Sequence, residues 1–233
     1  MKATLVVLTL NEIESLPVTM PQIDRSLFEQ ILIVDGNSSD GTADWCRAQG
    51  YEVYVQKERG LRKAYQEAMS LIRGDVIVTF SPDGNSLPEA LPRLLKKMEE
   101  GYDMVIASRY LEGAKSQDDD IVTGFGNWFF TTLTNVLYRA HYTDAFVIYR
   151  AYRKPLFYEL GFDTDKGFTR PERWFNTHVS IEPLLSVRAA KKGYKIGEIP
   201  ADEPPRIAGE RKLQVIRWGL TFLYQIIVER FSR

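Results

Sequence analysis

Residues 31–42 read Ile31-Leu32-Ile33-Val34-Asp35-Gly36-Asn37-Ser38-Ser39-Asp40-Gly41-Thr42. An apolar strand delivers Asp35 to its carboxyl end. A tight turn follows, and Ser, Asp and Thr are then placed to cap a helix. A carboxylate in that place can accept hydrogen bonds from a ribose or a nucleobase. The same letters also suit a plain strand, turn and cap, so this stretch alone decides the fold but not the function.

The same alternation extends on both sides. Strands are expected at Ala3–Leu10, Gln30–Val34, Glu52–Gln56, Asp75–Phe80 and Met104–Ser108. Helices are expected between them, at Ile13–Met20, Thr42–Gln49, Leu61–Ile72 and Leu87–Glu100. Strand and helix in strict turn imply a mostly parallel sheet flanked by helices, a Rossmann-like α/β fold. Ligands of such sheets bind beyond the carboxyl ends of the strands. That rule points to Thr9-Leu10-Asn11-Glu12, Asp35–Thr42, Ser81–Ser86 and Ser108–Tyr110.

The second half is less regular. Lys115–Asp120 reads as a polar loop, its carboxylates Asp118–Asp120 either solvated or ordering over the site when substrate binds, and Trp128–Tyr138 is apolar on more than one helix face. Thr143–Tyr152 is mixed, with room for one more strand. Val179–Lys192 is a helix stopped by Gly193, and Lys195–Pro200 a short strand. A first domain is expected over residues 1–212, and a C-terminal amphipathic helical extension over 213–233.

Bulk properties narrow the function. The chain has 233 residues, is 44% hydrophobic and 26% charged, and carries a formal net charge of −1. A nucleic-acid binder would show a basic excess, so polyanions are excluded as general partners. The one cysteine, Cys46, forms no internal disulfide. No run reaches the roughly 20 apolar residues of a membrane span. A cytoplasmic protein is expected, with at most a peripheral contact on the cytoplasmic membrane face. Two stretches suit that contact: Trp128–Tyr138, and Trp218–Val228 flanked by Arg217 and Arg230. Core packing explains them equally well.

A second acidic turn stands at Thr79-Phe80-Ser81-Pro82-Asp83-Gly84-Asn85-Ser86. Asp83 and Asn85 offer oxygen ligands on alternate residues, which Mg²⁺ or Mn²⁺ accepts while leaving positions open for diphosphate oxygens. An ordinary Asp-Gly turn has the same letters.

Six segments in order resemble the family-2 glycosyltransferases. Val6–Glu12 resembles their opening strand and Asn-Glu turn. Val34–Thr42 looks like Val-Asp-Asp-Gly-Ser-Ser-Asp-Gly-Thr. Gly60–Ala64 is similar to Gly-x-x-Lys-Ala, and Phe80–Asn85 with Pro88-Glu89 stands where the family carries Asp-x-Asp. Val105–Tyr110 resembles Val-Ile-Gly-Ser-Arg-Tyr. Arg206–Lys212 resembles the Arg-x-x-Gly-x-Ser-Lys loop of the dolichyl-phosphate mannosyltransferase branch. The resemblance implies a GT-A fold and inverting transfer of a hexose from a nucleotide-diphosphate sugar to a polyprenyl phosphate. It implies nucleotide contacts at Thr9, Leu10, Asn11, Glu12, Asp35, Lys63 and Asp83, and a metal, Mg²⁺ or Mn²⁺, at Asp83 and Asn85. Arg206, Arg211 and Lys212 would hold the acceptor phosphate. Asp144 and Arg109 are the catalytic candidates, Asp144 as base if the acceptor is a hydroxyl. Two positions depart from the pattern: Ser81 replaces the first carboxylate of Asp-x-Asp, and Gly36 replaces the second Asp after Val34. These losses also admit a non-catalytic nucleotide-binding protein. A dehydrogenase is excluded, because Leu10-Asn11-Glu12 stands where G-x-G-x-x-G would follow the first strand.

Overall fold

The computed structural model describes residues 1–209 and 214–232. Seven strands form one sheet: β1 (Ala3–Thr9), β2 (Gln30–Asp35), β3 (Glu52–Val55), β4 (Val76–Phe80), β5 (Met104–Ser108), β6 (Arg150–Arg153) and β7 (Ile196–Pro200). Their spatial order is β3-β2-β1-β4-β6-β5-β7. All neighbours run parallel except β6, which is antiparallel to both β4 and β5. Thr9 pairs with Asp35 and Val7 with Phe80, so the tips of β1, β2 and β4 end on one edge.

Side chains alternate across the sheet, as the period of two requires. Val6, Leu8, Leu32, Val34, Ile77 and Ile106 face one core. Leu5, Val7, Ile33, Val76, Val78 and Val105 face the other. Both faces are covered, which explains strands that read as continuous apolar runs. The first core packs α3 (Leu61–Ala68) and α8 (Glu182–Lys191); the second packs α4 (Leu91–Glu99). In α4 the buried residues are Leu91, Leu94, Leu95 and Met98, one stripe at helical spacing.

The remaining helices are α1 (Leu16–Thr19), α2 (Thr42–Ala48), α5 (Ile121–Tyr138), α6 (Lys154–Glu159), α7 (Thr169–Phe175) and α9 (Val215–Phe231). α5 begins seven residues before the apolar stretch that announced it (121 against 128). Asp120 and Thr123 form a reciprocal capping box that fixes this start. α9 packs on α5, α7 and α8. Its Ile226 is buried, and the Tyr138 hydroxyl donates to the Ile226 carbonyl at 2.6 Å. α6 and α7 were not foreseen; each is short and carries a proline in its first turns or body, Pro155 and Pro171. The strand expected within Thr143–Tyr152 is confined to its end, and 141–149 is a loop.

That loop is held by Arg150, which is fully buried on the first face. Its guanidinium donates to the Val147 and Ala145 carbonyls and, at 3.0 Å, to Ser186 Oγ. Glu182 is also buried, accepts from the Tyr65 hydroxyl, and attracts Arg150 electrostatically. Removing one member of a buried charge network leaves the other uncompensated. Arg150→Met should therefore cost about 3–5 kcal/mol, read as a lower urea midpoint at unchanged slope.

Candidate active site at the strand tips

The tips of β1 and β2 are sewn together by side chains. Asp35 is buried at the end of β2 and accepts from Thr9 Oγ1 at 3.0 Å, Ser38 Oγ at 2.6 Å and Ser38 N at 2.8 Å. Asn11, at φ 57°, accepts from Ser39 N at 2.9 Å. Glu12 N donates to Thr42 Oγ1 at 2.8 Å. Gly36 lies so close to Leu10 and the Thr9 carbonyl that a Cβ would sit 3.2 Å from each. Leu10 and Asn11 are exposed. The result is a shallow, polar ledge with a buried carboxylate at its back.

The next tip carries the second acidic turn. Asp83 and Asn85 follow β4 and are both at least nine-tenths buried. Asp83 Oδ1 accepts from Asn85 N at 3.1 Å, closing an Asx turn. Gly84 has φ +99°, and a Cβ there would meet Ile207 Cγ1 at 2.7 Å. Ile207 N donates to the Asp83 carbonyl at 2.9 Å. The segment after β7 thus lies directly on the β4 tip. Arg206 Nη1 pairs with Asp83 Oδ2 at 2.9 Å, and Arg206 Nε reaches Asp118 Oδ2 at 3.5 Å. Asn85 Nδ2 donates to the same Asp118 oxygen at 3.0 Å. Asn85 Oδ1 is buried and has no hydrogen-bond partner. Among the described residues no three His, Cys, Asp or Glu side chains form a metal cluster.

A cavity of about 20 Å³ joins this tip to that of β5; Asn85, Ser86, Arg109 and Glu203 line it. Arg109 follows β5 and is the electrostatic hub. Its Nε and Nη2 meet the two oxygens of Asp144 at 2.6 and 3.1 Å, a bidentate pair. Nη1 meets Glu203 at 3.1 Å and Asp119 at 3.8 Å. Asp144 is completely buried. Burial pushes its carboxyl up, but the charge and hydrogen bonds of Arg109 outweigh this and hold it below 3.8. Glu198 and Glu203 behave oppositely: burial raises both, against the hydrogen bonds of Thr143 and Asp144 in one case and the charge of Arg109 in the other.

The structure thus brings Asp83, Asn85, Arg206 and Arg109 into one neighbourhood, with Thr9, Asn11 and Asp35 along the same sheet edge. Lys63 meets other partners: its ammonium lies 3.5 Å from Glu58 and 3.3 Å from Asp165. Arg211 and Lys212 lie outside the described residues. Sequence reasoning missed Glu198 and Glu203, and gave Asp118 no role beyond a loop that is solvated or orders over bound substrate. Lys115–Asp120 reads as a solvated loop, yet it hydrogen-bonds to the segment after β7 through Lys115 N to Asp202 and Gln117 N to the Glu203 carbonyl. Only the acidic run at 118–120 signals it.

The family model for glycosyl transferase family 2 matches residues 4–161. The chain belongs to glycosyl transferase family 2. It is 30% identical over 242 residues to an undecaprenyl-phosphate mannosyltransferase of Micrococcus luteus, covering 94% of this chain and 95% of that one. A dolichyl-phosphate hexose transferase of Haloferax volcanii is 31% identical over 91% of this chain and 86% of its own. Among solved structures, mannosyl-3-phosphoglycerate synthase from Rubrobacter xylanophilus superposes with a TM-score of 0.71 at 18% identity, covering 99% of this chain and 74% of that one. Glucosyl-3-phosphoglycerate synthase from Mycobacterium tuberculosis, solved with Mn²⁺, UDP and glucosyl-3-phosphoglycerate, gives 0.63 at 18%, over 98% and 79%. The fold is GT-A, as the sequence implied, and the family-2 chain is a glycosyltransferase.

The Asp144 pair gives the transferase a defined acid response. A depressed folded pKa contributes stability that is complete above the unfolded value of 3.8 and is lost as pH falls through the folded value. Asp144→Asn should destabilise by about 3–5 kcal/mol at pH 7, as breaking a buried pair does. In urea titrations its deficit against the parent should shrink below pH 3.8.

Proposed function

We propose that this glycosyltransferase moves a hexose, with inversion, from a nucleotide-diphosphate sugar to a polyprenyl phosphate. The observation that carries the reading is a pair of guanidinium groups at the β4 and β5 tips: Arg206 on Asp83, and Arg109, which lines one cavity with Asn85. A phosphate acceptor is already an anion. It needs cationic groups to align it and no base to deprotonate it. Asp144 suits that chemistry, since both its oxygens are committed to Arg109. We assign it to positioning the guanidinium. The relatives named for undecaprenyl-phosphate and dolichyl-phosphate transfer support the same acceptor class.

On the donor side, the Thr9–Glu12 ledge and Asp35 would receive the nucleotide. The residues at the β4 tip fit a divalent cation, Mg²⁺ or Mn²⁺. Asp83 supplies a carboxylate, and Asn85 Oδ1 is a buried oxygen without a partner, the condition a cation relieves. Such ions take few protein carboxylates and fill the remaining positions with substrate phosphates. When bound, the cation would supply positive charge against the leaving diphosphate. Asp83→Ala should lower transfer by about 10²–10³-fold, measured as radiolabelled sugar passed from candidate nucleotide sugars to a short polyprenyl phosphate. Absence of any lipid-linked product with every donor would reject the acceptor assignment.

A cytoplasmic enzyme seated peripherally on a membrane would meet such an acceptor. Among the described residues no helix is long and apolar enough to cross a membrane. In α5, Ile121, Val122, Phe125, Trp128 and Phe129 are exposed and share one helical face. Ile121 is 92% exposed and Trp128 61%. Aromatic residues on one face suit an interfacial helix. Phe125→Ser with Trp128→Ser should cut cosedimentation with anionic phospholipid vesicles several-fold and leave the melting temperature unchanged.

A further inference from the structure

Asp118 stands between β5 and α5, in a segment that family likeness assigns no role. We propose that Asp118 is the second carboxylate of the cation site, replacing the one absent at Ser81. Arg206 holds the two carboxylates together until a divalent cation takes its place. This rests on the reading that Asp83 and Asn85 hold the cation.

Three observations carry it. First, Asp83 Oδ2 and Asp118 Oδ2 both face the guanidinium of Arg206, at 2.9 and 3.5 Å. Second, Asn85 joins the same group: its Nδ2 donates to Asp118 Oδ2 at 3.0 Å, and this leaves Oδ1 buried without a partner. Third, Arg206 Nε is itself buried without a hydrogen-bond partner, so the guanidinium neutralises the pair and leaves that one donor unsatisfied.

A guanidinium brings one charge and N–H···O distances near 2.9 Å. A divalent cation brings two charges and draws oxygens to about 2.0–2.2 Å. Two carboxylates around one site therefore favour the cation once diphosphate oxygens complete its shell. Exchange has a further effect. Arg206 is followed by Ile207, whose N–H is bonded to the Asp83 carbonyl. Expelling the guanidinium loosens the segment that covers the β4 tip, and Arg206 becomes available to an incoming phosphate. Donor binding would then precede acceptor binding.

The test is Mn²⁺ binding to the full chain, read as loss of the free-ion signal in electron paramagnetic resonance, with Mn²⁺ alone and with UDP or GDP. Asp83→Asn should abolish binding. Asp118→Asn should weaken it about tenfold or more, with an unchanged melting temperature in the absence of metal. Ser81→Asp added to Asp118→Asn should restore affinity, and Ser81→Asp alone should raise it by less than it does in that background. Arg206→Gln should tighten binding several-fold, because the competing charge is gone. No binding by the parent, or binding indifferent to Asp83→Asn, overturns the underlying reading. Loss in Asp83→Asn with Asp118→Asn unchanged overturns the Asp118 assignment alone. Unchanged or weaker binding in Arg206→Gln overturns the place-holding role.

Discussion

Carboxylates gathered at the ends of buried strands repel one another, and each has lost much of its water. The candidate site at this sheet edge holds together because guanidinium groups answer that cost. Arg109 ties Asp144, Glu203 and Asp119; Arg206 ties Asp83 and Asp118. These pairs fasten segments from distant parts of the chain. The segment after β5, the loop before β6 and the segment after β7 are joined at Arg109. A site so assembled is electrostatic before it is chemical, as suits a reaction whose main demand is to stabilise a leaving anion.

The sheet and the residues at its strand tips were legible because they follow local rules. Apolar runs ending in Asp35 and Asp83 placed both residues at strand tips, and the structure keeps them there. The helix expected at Leu87–Glu100 is present as α4, its Leu91–Met98 stripe buried at helical spacing. Less could be read where the determinant is a distant partner. Arg109 and Asp144 were named as candidates, but nothing local shows that they bind each other. Glu198, on β7, is recognisable only once Thr143 is seen donating to it. Asp118 looked solvated because its partners, Asn85 and Arg206, lie far away in the chain. Lys63 matched the pattern by position, while its side chain is drawn to Asp165, a residue in a region without periodic signal.

The apolar second half shows the same split. Its buried inner face and exposed outer face belong to the same helices. In α9, Thr221, Gln225 and Ile226 are buried while Ile216 and Phe231 are exposed. Core packing and interfacial contact were alternatives in the sequence. In the fold the buried and the exposed residues lie on opposite sides of one helix, so packing accounts for one side and leaves the other apolar and uncovered.

One topological detail bears on the width of the site. The reversed strand β6 separates β4 from β5, so these two parallel strands never touch. Adjacent strands lie about 4.8 Å apart, which sets the ends of β4 and β5 roughly 10 Å from each other. Asp83 hangs from one side of that opening and Arg109 from the other. These two groups of opposite charge stand on separate struts. Drawing those struts together or apart requires no change in the hydrogen-bonded ladder beneath.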